Sequence, residues 1–328
     1  MKFAIIGCGL IGNKRAEALP SGSLAVACDT DLSRAEALAK RFSGCDAQVD
    51  SLAAVRREDV AAVIICTPNH LLAPMALEAL RHGKHILVEK PAGIHLDGVE
   101  ELTFLAQASN LKARVGFNHR YHPAFLKARE IFDSGILGPL MHIRSRYGHG
   151  GRLGYDREWR ANPSLSGGGE LIDQGVHLID LARWFLGEFQ TIEGHATTSF
   201  WDMEVDDNAF LSLRTAEGQT AWLHASCTEW KNLFSFEIFG RDGKLQIDGL
   251  GGSYGTESLT FYKMLPQMGP PETTRWEYPR GDESWACEIR EFLCDIKEGR
   301  IPSPGLADAA KALEIVRAIC RKSPKPSP

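Results

Sequence analysis

Residues 2–12 read Lys2-Phe3-Ala4-Ile5-Ile6-Gly7-Cys8-Gly9-Leu10-Ile11-Gly12. An apolar run that breaks into GxGxxG and continues as Asn13-Lys14-Arg15-Ala16 reads as a strand, a tight turn and a helix. Glycine permits the turn and lets a pyrophosphate approach the backbone, where its charge meets the helix N-terminus. Asp29 closes the next apolar run, about 20 residues after the motif, where a carboxylate can accept both ribose hydroxyls. The same carboxylate repels a 2′-phosphate, so NAD is expected rather than NADP. Arg34 lies close enough to offset that repulsion, although a solvated helix face is its simplest role. A glycine-rich turn chosen for packing alone is the alternative, and strand, helix and acid in register disfavour it.

Outward from this unit, apolar runs recur at 24–28, 62–66, 85–88 and 112–116, with a weaker one near 47–49. Between them, 13–19, 32–42, 72–82 and 96–109 carry apolar residues at helical spacing, and Gly83 reads as a helix stop. This alternation predicts a parallel sheet covered by helices. Cys66-Thr67-Pro68-Asn69-His70 and Val88-Glu89-Lys90-Pro91 then end two strands at the carboxyl edge, where ligands of such sheets bind. A Glu-Lys pair is usually plain surface, but here Pro91 pins it at a strand end. The residues expected to line the cofactor are Gly7, Gly9, Leu10, Ile11, Gly12, Asp29, Thr67, Pro68, Asn69, His70, Glu89 and Lys90.

After Gly116 the pattern changes. Residues 123–133 and 169–186 read as helices, and 141–147, 191–200, 208–214, 220–227, 234–239 and 244–247 as antiparallel strands of one large open sheet. Asp242-Gly243 is a hairpin signal. Helices at 285–298 and 306–319 close the chain, and the tail from Lys322 is expected to fray. The expected domains are 1–118 and 119–328.

The length of 328 residues suits about two domains. With 44% hydrophobic and 24% charged residues, the chain has the composition of a folded globular protein and not of a disordered or fibrous one. A net charge of -5 leaves no basic footprint for nucleic acid. No apolar stretch approaches the roughly 18 residues of a membrane span, and no signal-peptide pattern precedes the first strand, so a cytoplasmic location is expected. Eight cysteines without a CxxC pair read as reduced, mostly buried thiols.

A third constellation is Gly167-Gly168-Gly169-Glu170-Leu171-Ile172-Asp173-Gln174-Gly175-Val176-His177. On a helix, Asp173 and His177 share a face, so the carboxylate can orient or charge the imidazole. A metal would need further ligands at recognisable spacing, and none is expected. A satisfied core pair is the bland alternative.

These three motifs in this order resemble the Gfo/Idh/MocA family of sugar and inositol dehydrogenases across essentially the whole chain, and Arg120-Tyr121 and Gly135-Ile136-Leu137-Gly138 fit the same pattern. The resemblance implies an α/β chain: an N-terminal Rossmann dinucleotide-binding domain, then a C-terminal α/β domain with a large, mainly antiparallel open sheet. It also implies a homodimer or homotetramer that buries the outer face of that sheet, and hydride transfer at a sugar or cyclitol carbinol. By position, Lys90 would hold the reacting oxygen, His177 would exchange its proton, and Asp173 would position His177 or a neighbouring hydroxyl. The chemistry agrees, because a carbinol loses hydride only as its proton leaves to a base, and an ammonium stabilises the developing alkoxide.

Residues 148–160 read as a loop carrying His149, Arg152, Tyr155, Asp156, Arg157, Trp159 and Arg160, followed by Asn162. Aromatic faces suit a sugar ring and arginines suit a carboxylate or phosphate on it, so an anionic or nucleotide-linked sugar falls within the expectation. Arg-Asp pairing and simple burial of Trp159 form the alternative. Substrate contacts are expected from Lys90, Arg120, Tyr155, Trp159, Asp173 and His177. Two other functions stay open at this point: an NAD-dependent glycosidase of the same family, and a dinucleotide-binding regulator without chemistry.

Overall fold

The computed structural model describes residues 1–323. The first part of the chain runs β1 (Phe3–Ile6), α1 (Leu10–Ala18), β2 (Leu24–Cys28), α2 (Leu32–Ala39), β3 (Asp46–Gln48), α3 (Ser51–Arg56), β4 (Ala62–Ile65), α4 (Asn69–Arg81), β5 (His85–Glu89), α5 (Leu96–Ala108) and β6 (Ala113–Gly116). After a 3-10 turn at Asn118–Tyr121 come α6 (Pro123–Asp133), β7 (Leu140–Gly148), α7 (Pro163–Ser166), a π-helical turn at Leu171–Gly175 and α8 (Val176–Leu186). Then follow β8 (Phe189–Thr197), β9 (Asn208–Thr215), β10 (Thr220–Ser226), β11 (Leu233–Gly240), β12 (Gly243–Asp248), β13 (Glu257–Lys263), β14 (Glu272–Tyr278), α9 (Ser284–Glu298) and α10 (Leu306–Lys322). Positions 324–328, to which most of the expected fraying tail belongs, lie outside the described residues, and Lys322 itself ends α10.

One compact unit comprises 1–117 with 285–313, and its six strands lie in the order β3-β2-β1-β4-β5-β6, all parallel. Every residue of β1, β2 and β4 is buried, as strands covered on both faces by crossover helices must be. Ile6 pairs with both Cys28 and Ile65, so Gly7, Asp29 and Cys66 leave the sheet at one edge. Sequence order reverses between β1 and β4, which makes that edge the switch point of the sheet.

The division of the chain is discontinuous, unlike the single cut after residue 118 that the pattern suggests. Ile289 and Phe292 of α9 are buried in one cluster with Phe3, Ile5, Leu24 and Leu38. Arg114 of β6 donates to Asp295 of α9 at 2.8 Å. Both contacts belong to the first unit and hold α9 there.

The second unit, 118–284 with the chain from 314, contains eight strands in the order β14-β13-β12-β11-β7-β10-β9-β8. β7 and β10 are parallel and the other neighbours antiparallel, so the sheet is mainly antiparallel, as the resemblance implies, with one parallel pair that the strand-by-strand reading does not show. The reason is topological: the chain leaves β7 through α7 and α8, enters the sheet at its edge as β8, and returns through β9 to place β10 beside β7. Burial alternates along most of β7, β9 and β10, whereas β11 is buried continuously from Phe234 to Ile238. Ile143, Tyr147, Ala221, Leu223, Ala225, Phe236 and Ile238 are buried, whereas Arg144, Arg146, Phe210 and Trp222 point to the exposed face.

Candidate functional site

In the first unit the glycine turn links β1 to α1. Gly7 has φ +95°, and a Cβ there would come within 2.5 Å of the Cys66 carbonyl oxygen, while one on Gly12 would lie 1.9 Å from the Gly7 oxygen. A Cβ on Gly9 would meet nothing within 4 Å, so open space adjoins the N-terminus of α1, which has no side-chain cap. Asn13 donates from Nδ2 to the carbonyls of Cys8 and Gly9, both at 2.9 Å, and fixes the turn. Asp29 accepts from the Cys8 N–H at 2.8 Å through Oδ2 and from the Asp31 N–H at 3.0 Å through Oδ1. Each carboxylate oxygen keeps acceptor capacity for a hydroxyl. A recess of about 590 Å³ lies here, bounded by Cys8, Gly9, Leu10, Asn13, Arg34, Ala37, Leu38 and Arg41. Open space at Gly9, an uncapped helix start and a fixed carboxylate fit a dinucleotide.

Pro68 precedes α4, and Asn69 and His70 form its first turn, so Thr67 to His70 lie at the same edge as the glycine turn. Glu89 is buried, and its carboxylate accepts from Arg15 Nε at 2.7 Å. Arg15, fully buried in α1, also donates to Glu288 of α9 at 2.5 Å and lies 4.5 Å over the Trp285 ring. Burial pushes the Glu288 carboxyl up to about 6, opposed by Arg15 and aided by Glu89. Lys90 follows Glu89 at the end of β5, on a backbone that this triad anchors.

In the second unit, 169–186 is not one α-helix. The π-helical turn Leu171–Gly175 carries Asp173, and His177 lies in the first turn of α8. Wide turns of this kind are frequent at functional sites. Arg160 Nε donates to Asp173 Oδ2 at 3.0 Å; the Asp173 charge overcomes burial and raises the Arg160 pKa. The buried His177 ring stacks on that of His119, centroids 3.7 Å apart and planes at 25°, and Tyr147 packs against both rings. Burial holds the Tyr147 phenol well above its ordinary pKa, so it stays protonated.

Other expected substrate residues have protein partners. Arg120 is buried and forks onto Asp180, at 2.8 and 2.5 Å. Tyr155 is buried and donates its hydroxyl to Glu170 at 2.7 Å. The Arg160 guanidinium lies 4.5 Å over the Trp159 ring, and Arg152 pairs with Glu158. Arg152 is thus paired within the loop, and Arg160 with Asp173 of the π-helical turn. His119 was not singled out from the sequence, although it adjoins Arg120; no local pattern relates it to His177.

Residues 1–117 match the family described as an oxidoreductase family with an NAD-binding Rossmann fold, and residues 125–246 match the GFO/IDH/MocA C-terminal domain. Inositol 2-dehydrogenase of Rhizobium meliloti is 27% identical, with 98% of each chain covered. Levoglucosan dehydrogenase of Pseudarthrobacter phenanthrenivorans is 26% identical, over 95% of this chain and 90% of that one. A solved structure of levoglucosan dehydrogenase in complex with NADH superposes with a TM-score of 0.86 at 25% identity, covering 97% of this chain and 95% of the other. The protein is an oxidoreductase acting on CH–OH groups. It belongs to the Gfo/Idh/MocA family, whose NAD-binding Rossmann fold its first unit carries.

Proposed function

We propose that the protein is an NAD-dependent dehydrogenase that moves hydride between nicotinamide and a secondary alcohol or ketone of a sugar, cyclitol or sugar derivative. The observation that carries this reading is the buried imidazole of His177, with Asp173 ion-paired on the turn just before it, in a chain that also holds a dinucleotide-fitted glycine turn. Relatives named for inositol and levoglucosan support the substrate class.

Bound nicotinamide supplies the hydride acceptor. The chain's own residues handle the proton and the charge. In oxidation the His177 imidazole takes the carbinol proton as the C–H electron pair departs, and the Lys90 ammonium stabilises the oxygen as its negative charge grows. Asp173, held by Arg160, fixes the substrate or the imidazole and favours imidazolium once the proton has arrived. Asp29 favours NAD over NADP.

A panel of inositols, sugars, sugar acids and sugar nucleotides, offered with NAD and with NADP while nicotinamide absorbance is followed, tests the proposal. Accumulating NADH with at least one polyol is the expected outcome. Glycoside cleavage without net NADH would instead assign the glycosidase chemistry, and silence across the panel in a protein that binds NADH would contradict the dehydrogenase reading.

A further inference from the structure

The glycine triplet 167–169 and the β8–β9 connection take no part in the chemistry above, yet they meet at one residue. The N–H of Gly169 donates to Asp206 Oδ1 at 2.9 Å and that of Leu171 to Asp206 Oδ2 at 2.8 Å. Between them the Glu170 N–H donates to the Asp206 backbone oxygen at 3.0 Å. Three successive donors entering the π-helical turn therefore end on Asp206, where the first N–H groups of any helical segment need acceptors and a carboxylate suits the local dipole. The approach is close enough to exclude a side chain: a Cβ on Gly169 would lie 1.8 Å from the Asp206 oxygen.

Asp206 is itself tied to the sheet through its neighbour. The buried Asp207 carboxylate accepts from the N–H groups of Ser199, Phe200 and Trp201 and from Asn208 Nδ2. Its own N–H donates to the Thr197 oxygen at the end of β8, and its carbonyl accepts from the Cys227 N–H just beyond β10. The Asp206-Asp207 pair thus joins the start of the π-helical turn to two strand ends. Burial raises the Asp206 carboxyl to about 6 against the pull of the Leu171 and Gly169 N–H groups.

We infer that Asp206 is a positioning residue for the oxidoreductase reaction: its carboxylate sets the π-helical turn against the sheet and thereby fixes Asp173 and His177. This rests on the reading of His177 as the base. Asp206 touches neither of them; it acts through the backbone of Gly169, Glu170 and Leu171.

The test uses the full chain with ¹⁵N-labelled histidine rings, recorded at one pH on the neutral side, with the His177 signal assigned by its loss in His177→Ala. Asp206→Asn keeps one carbonyl acceptor and should fold, yet it presents an amide to one of two N–H groups. The His177 ring signals, and those of His119 stacked on it, should move, whereas those of His82 and His142 should not. Gly169→Ala, which strains the same contact from the other side, should move the same signals. With a substrate from the panel, turnover of Asp206→Asn should fall about ten- to a hundredfold at unchanged NADH affinity. In a His177→Ala background the same substitution should cost markedly less than it does alone. Unmoved His177 signals in a folded Asp206→Asn protein, or an undiminished further loss in the His177→Ala background, would overturn the inference. Full turnover in His177→Ala alone would instead remove the base assignment, and the ring spectra would still decide the role of Asp206.

Discussion

An imidazole can take a carbinol proton only while it is neutral, so the proposed role of His177 has a direct signature in pH. Oxidation should lose rate on the acid side as His177 protonates, and that limb should vanish or move in His177→Ala. A rate profile for both proteins checks this. Asp29 makes a separate expectation: NAD(H) should bind more tightly than NADP(H), and equal or tighter NADP(H) binding in a parallel titration would show that Arg34, which borders the same recess, outweighs the carboxylate. Lys90, Asp173 and His177 stand out as candidates in the sequence because each sits inside a short motif tied to a recognisable element. His119 and Asp206 were not, since a ring stack and a backbone clamp arise between segments far apart in sequence and leave no local pattern. The partner of the Glu89 carboxylate is equally invisible to its local motif, because Arg15 reaches it from α1.

Among the elements, α1, β5 and α9 are joined by one buried cation and two buried carboxylates, Arg15 with Glu89 and Glu288. Glu288 has a folded pKa of about 6 against an ordinary 4.5 because burial penalises its charge. The folded state therefore holds that proton more tightly than the unfolded chain. The stabilisation is fully present below about 4.5 and is lost as pH rises through about 6, an effect of about 2 kcal/mol. Glu288→Gln keeps an acceptor for Arg15 and cannot titrate. Melting temperatures of the variant measured across this range should lack the part of the pH slope that the wild type owes to Glu288; identical slopes would show that the triad titrates through another group. Elements with continuous apolar runs, such as β1, β2 and β4, were readable because both faces are buried. β14 was missed because most of its residues are exposed at the edge of the sheet and carry no apolar alternation. The six-residue α3 depends on an Asp50 cap, whose carboxylate accepts from Leu52 and Ala53. The π-helical turn was read as α-helix because side-chain spacing over five residues does not distinguish the two.

For the molecule as a whole, the exposed face of the eight-stranded sheet carries Phe210 and Trp222, the latter 65% exposed. Large apolar side chains on the outer face of an open sheet call for a cover, and a second copy of the chain is the expected one. Light scattering at micromolar concentration should give a dimer or tetramer, and Trp222→Arg should lower the mass; a monomeric wild type would contradict the expectation. The order of strands and helices was readable along the chain, but the return of α9 to the first unit was not, since burial of Ile289 and Phe292 against β1 is a tertiary fact. The central claim is that the dinucleotide is held by the glycine turn and Asp29 while Lys90 and His177 carry the chemistry. Its most direct test pairs NADH affinity with turnover in Lys90→Met and His177→Ala. The account predicts affinity near wild type in both, with turnover reduced by on the order of a hundredfold or more; turnover near wild type in either variant would contradict it.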